Sequence, residues 1–140
     1  MTKLQSREPL RKQDYQALAG FRHALREFLA FSEQAAGRQG VTPVQHQALL
    51  AIKGMPHSGP VSIGDLAGWL GVRHHSAVGL VDRLASHGLV HKRADAADRR
   101  RMVLTLTAKA DRKLAALTAA HRGELRRLSG ALGSLIDTLR

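Results

Sequence analysis

The chain has 140 residues, 44% of them apolar and only 4% aromatic, and its 22 Lys and Arg against 11 Asp and Glu give a formal charge of +11. That length is one ordinary domain, with a core built by aliphatic helix packing rather than by an aromatic-rich sandwich. The lack of cysteine excludes disulfides, thiolate metal sites and thiol redox chemistry; no run reaches the ~18 apolar residues of a membrane span, and the basic excess points to a polyanionic partner.

The opening stretch, "MTKLQSREPLRKQDY", carries charge but no apolar h-region, so no secretory signal is expected and the chain reads as cytoplasmic. Only its first several residues read as disordered. Residues 10–36 then predict a long amphipathic helix, with Leu18, Phe21, Leu25, Phe28 and Leu29 at helical spacing and Arg22, Arg26 and Glu27 opposite. Gly37 and Gly40 stop it. A second helix begins at Thr42, where Pro43 at the first helical position and Gln45 three residues on complete a T-x-x-Q capping box.

After a loop of Gly54, Pro56, Gly59 and Pro60, Ser62 and Asp65 repeat the box and start a short third helix. Its stripe is Ile63, Leu66, Ala67 and Leu70, which leaves Trp69 off the stripe as a packing flank, and Gly71 ends it. The next helix, about residues 73–87, turns Val78, Val81 and Leu84 inward and closes on Gly88 in the left-handed conformation. "LVHKR" and "RMVLTLT" are β-prone runs joined by the polar "ADAADRR", which predicts a hairpin with a charged tip. Thr107 caps a further helix, and Ser129 is expected to begin a separate short one carrying Leu132, Leu135, Ile136 and Leu139.

The order helix, tight turn, helix, charged hairpin is a winged helix-turn-helix, and several segments resemble the MarR (multiple-antibiotic-resistance regulator) family of transcription factors. "VTPVQHQALLAI" resembles that family's second helix, "DLAGWLGV" its third, "VDRLASHGLV" the end of its recognition helix and "DAADRRRMVLTLT" its wing, with Asp98 and Arg100 as an Asp-x-Arg. The chain departs from the pattern at Ala96, where proline is frequent, at Ala110, where glycine is usual, and at Arg73, where a small capping residue is common.

The resemblance implies a single domain over residues 1–140, mainly α with a small β-hairpin wing. Residues 10–36 and 108–140 would form a dimerisation domain and residues 41–107 the DNA-binding lobe. A helix fits the major groove, about 12 Å wide, and reads it with its N-terminal turns. Arg73, His74, His75, Ser76, Gly79 and Arg83 are therefore the expected readers. On the wing Arg100 would enter the minor groove, held by Asp98, while Lys92, Arg93, Arg99 and Arg101 track phosphates. His23, Phe28 and His46 are placed in an effector pocket on the same precedent.

The function implied is a dimeric, sequence-specific regulator of a pseudo-palindromic double-stranded operator, a repressor released by a small-molecule effector, with no cofactor and no membrane partner. A ligand-independent architectural DNA binder is the alternative. Adjacent His74 and His75 diverge by about 100° on a helix and make a poor chelate, so no metal site is assigned. No G-x-S-x-G, phosphate loop or H-E-x-x-H supports an enzyme.

Overall fold

The computed structural model describes residues 8–140; the expected disorder of the first several residues lies outside them. Five helices run α1 Lys12–Arg38, α2 Pro43–Gly54, α3 Ile63–Leu70, α4 His74–Ser86 and α5 Ala108–Leu139, and three strands run β1 Val61–Ser62, β2 Val90–Ala94 and β3 Met102–Leu106. Among the described residues no helix is long and apolar enough to cross a membrane. The chain divides into two compact units, one of residues up to Phe31 with Arg122–Arg140, the other Ser32–His121.

In the second unit the local signals act as expected. Thr42 Oγ1 accepts from the Gln45 N–H at 3.1 Å while Gln45 Oε1 accepts from the Thr42 N–H at 3.0 Å. Ser62 and Asp65 close the same reciprocal pair, at 3.0 and 2.9 Å. Each box satisfies two amides that a helix start leaves without intrahelical partners. Gly71 (φ 69°) and Gly88 (φ 71°) take the left-handed conformation that ends α3 and begins the turn into β2. Leu49, Leu66, Val81, Leu84 and Val103 are fully buried, so α2, α3, α4 and the sheet share one aliphatic core.

The sheet is richer than the expected hairpin. β3 lies centrally in the order β1-β3-β2, antiparallel to both, with Val61 opposite Leu104 and Val90 opposite Leu106. A two-residue strand is too short to show alternation, so the sequence pattern gave no sign of β1.

Three expectations are corrected. The inward face of α4 is Ala77, Leu80, Val81 and Leu84, whereas Val78 is only half-buried and faces a cavity beside the wing. Trp69 is no packing flank, being 59% exposed. Ser129 begins no new helix, because α5 continues unbroken through it. Gly130 and Gly133 cost a helix about 1 kcal/mol each. No proline interrupts the helix, and Ser134 and Thr138 donate back to the Gly130 and Ser134 carbonyls.

In the first unit the two long helices meet where α1 is narrowest: a Cβ at Gly20 would stand 3.3 Å from Leu135 Cδ2. Arg127 of α5 bonds Glu27 of α1 at 3.1 Å. Ala17 and Ala24 are buried, while Leu18, Leu25, Leu29, Leu125, Ile136 and Leu139 remain exposed.

Candidate nucleic-acid interface

Helix α4 begins abruptly. Arg73 is its N-cap, in extended conformation, and makes no side-chain cap hydrogen bond. The first turn of α4 holds no acidic residue, so its amide groups and positive dipole end can receive an anion. Arg73, His74, His75, Ser76 and Arg83 are all exposed. Gly79 is half-buried, and Arg83 Nη1 lies 3.6 Å from the place its Cβ would take. These residues share the surface opposite Ala77, Leu80, Val81 and Leu84, which are buried.

Residues 95–101 form a loop closed on itself. The Asp95 N–H donates to the Arg101 carbonyl at 2.8 Å, and the Arg101 N–H donates to the Asp98 carbonyl at 2.9 Å. Asp95 Oδ1 also accepts from the Ala97 N–H at 3.1 Å. Asp98 Oδ1 receives both the backbone N–H (3.1 Å) and the Nε–H (3.3 Å) of Arg100, so the expected Asp98–Arg100 pair is present. With its side chain 93% exposed, Arg100 projects from the tip. Arg99 and Arg93 are exposed beside it.

Two basic residues differ from expectation. Arg101 was assigned to the phosphate track, yet its Nη2 lies 2.8 Å from Asp65 Oδ2 and its Nη1 lies 3.3 Å from Asp95 Oδ2. It also reaches the Pro60 carbonyl at 3.4 Å. Its charge is balanced by two carboxylates, and it ties the base of the wing to the start of α3. Lys92 is paired with Asp82 of α4, an exposed ion pair that links β2 to that helix but contributes little stability.

Asp65 is the hub of this arrangement. The Ser62 backbone N–H, its largest influence, holds the carboxyl below the usual carboxylate range, with the Ser62 hydroxyl and Arg101 acting in the same direction against partial burial. His57, from the loop before β1, lies 3.0 Å from the same Oδ2. The capping role of Asp65 was legible in the sequence; its long-range partners were not. Between the wing and α4 lies an open cavity of about 600 Å³, lined by His74, Val78, Lys92, Asp98, Arg100 and Met102 among others.

The residues assigned to an effector pocket occupy different settings. His23 is exposed and bonds Glu27 one turn on, at 2.6 Å, and Phe28 is half-buried; both belong to the first unit. His46, in the second unit, is buried with its ring centroid 5.2 Å from that of His121.

No curated protein matches the chain. Among solved structures it is similar to YusO from Bacillus subtilis, with 24% identity, 76% of this chain and 73% of that one covered, and a TM-score of 0.62. It is similar to MepR of S. aureus in a MepR–DNA complex, with 22% identity, coverages of 79% and 80% and a TM-score of 0.67. A MarR mutant from E. coli complexed with operator DNA gives 18% identity, 84% coverage of each chain and a TM-score of 0.68. At these identities the likeness establishes the fold. Residues 39–101, from the turn before α2 through the wing, match the sequence model described as the MarR family, so that segment of the chain is similar to that family.

Proposed function

We propose that this chain is a dimeric, sequence-specific regulator of transcription that binds double-stranded DNA in the cytoplasm and acts without catalysis. The observation that carries the reading is Arg100, 93% exposed at the tip of a hairpin whose base is fixed to α3 and α4 through Asp65 and Asp82. An exposed guanidinium on a braced stalk suits a narrow minor groove, where negative potential is concentrated. The exposed first turn of α4 suits the adjoining major groove, with Arg73, His74, His75 and Ser76 at base edges or phosphates.

Dimerisation follows from two needs. One recognition helix covers too little area for tight, specific binding, and a two-fold dimer on a pseudo-palindrome doubles it. The exposed Leu18, Leu25 and Leu29 of α1 and Leu125, Ile136 and Leu139 of α5 supply an apolar surface for a second copy. Repression, with release by a small-molecule effector, is the regulatory mode we infer: a ligand that alters the spacing of two recognition helices lowers affinity for an operator of fixed half-site spacing.

Selection from a randomised duplex pool at about 0.15 M salt, where non-specific charge binding is weakened, tests the reading. The expected result is a pseudo-palindrome with half-sites one helical turn apart. A pool that stays random, with binding lost steeply as salt rises, would replace it with an architectural role.

A further inference from the structure

The helix-turn-helix carries a feature built from none of the residues assigned to DNA. Trp69, the only tryptophan in the chain, is 59% exposed and borders an open cavity of about 370 Å³ between the C-terminal halves of α2 and α3. Gln47, Leu50, Gly54, Met55 and Leu70 complete most of its wall. The size lies at the low end for small-molecule sites, roughly 300–1,000 Å³. The lining includes no titratable side chain and a single side-chain amide, in a protein whose formal charge is +11. A wall so neutral in so basic a molecule gives an anion no local partner. An indole, a thioether and aliphatic carbon instead favour a flat apolar face.

Gly54 lines the cavity, and a Cβ there would meet nothing within 4 Å, so a larger side chain fits at this position. Its backbone is not in the left-handed region, so the turn does not require glycine. Leu70 is followed by Gly71, which carries the chain within two residues to Arg73, the N-cap of α4. Whatever occupies the cavity therefore touches Leu70, the last residue before the turn into α4.

We propose that this cavity is an effector site for an uncharged, flat molecule of one or two aromatic rings with one hydrogen-bonding group, which Gln47 meets while Trp69 and Met55 flank the rings. Its regulatory half rests on the DNA-binding reading above; its binding half does not.

The test uses 2-naphthol as probe on the full-length protein without DNA. The single indole N–H resonance of Trp69 should shift saturably on titration, and Gly54→Leu, which adds a bulky side chain to the cavity wall, should weaken binding at least tenfold. Leu50→Glu, at an exposed position, should do the same should Gly54→Leu alter the melting temperature. An indole resonance that does not move, or that moves equally in both variants, overturns the site. So does a resonance that shifts with protein concentration alone, since a second copy would then cover Trp69. With an operator duplex, saturating 2-naphthol should weaken wild-type binding at least threefold and leave Gly54→Leu unaffected. Equal DNA affinity with and without probe overturns the effector role, whereas a protein that binds no duplex but still titrates would refute the DNA-binding reading and leave the binding site standing.

Discussion

Asp65 Oδ2 and Arg101 Nη2 lie 2.8 Å apart across 36 residues of sequence, joining the first turn of α3 to the base of the wing. The same oxygen accepts the Ser62 N–H at 2.9 Å, so a single carboxylate both caps a helix and holds a hairpin. Arg101→Ala removes the cross-link and leaves the cap. The expected outcome is faster amide hydrogen exchange across residues 95–101 and a melting temperature lower by a few degrees, with the α3 amides still protected. Unchanged exchange in the wing would show that the ladder between β2 and β3 alone holds it.

Arg100 stands one residue away and has the opposite role. Its single carboxylate partner, Asp98, lies within the same loop, and no packing depends on its guanidinium, which is almost wholly exposed. Arg100→Ala should leave the melting temperature within about a degree of wild type and lower operator affinity at least tenfold. Equal affinity would remove the wing tip from the interface. Reading both variants together separates a contact residue from a positioning residue in a run of three arginines.

That run shows where sequence reading ends. Thr42, Gln45, Ser62, Asp65, Gly71 and Gly88 act within a few residues of themselves, through caps and left-handed turns, so their roles were legible from spacing alone. The Asp98–Arg100 pair is equally local. Arg99, Arg100 and Arg101 are identical as letters, and only the fold brings Asp65 to one of them and leaves another in solvent. The α4 face differs by one position because 3.6-residue periodicity admits both Ala77 and Val78, and only the packing of α4 against α3 and β2 decides between them. Ser129 looked like a cap because capping residues carry the same signature whether or not the chain before them ends a helix.

The apolar residues left outside on α1 and α5 lead to the third prediction. Leu29 is 53% exposed and Ile136 47% exposed, in a unit whose helices already meet each other at Gly20 and Leu135. Isolated exposed leucines are ordinary, but five leucines and an isoleucine on two helices are a surface to be covered. At micromolar concentration the sedimentation mass should be that of a dimer, and Leu29→Asp should shift it toward the monomer by burying a charge in the interface. A wild-type monomer at 50 μM would exclude the dimer.

The last prediction concerns acid. His46 and His121 are both buried, their ring centroids 5.2 Å apart. The His121 Nδ1–H donates to the Leu117 carbonyl at 2.6 Å, leaving Nε2 to accept from the Ser32 hydroxyl at 2.9 Å. Burial, and then the neighbouring His121, push His46 below the ordinary imidazole value, because a charged ring there would lose hydration and face a second ring able to become cationic. The unfolded chain exposes His46, which then titrates near pH 6.5. Between that value and the lowered native one the unfolded state binds more protons, so stability is full above about pH 6.5 and declines as pH falls below it. One such proton limits the slope to about 1.4 kcal/mol per pH unit. Melting curves between pH 7.5 and pH 5 should therefore show a falling midpoint in the wild type. His46→Leu, which keeps an apolar side chain against His121, should flatten that fall, and an equal slope in both proteins would place the acid sensitivity elsewhere.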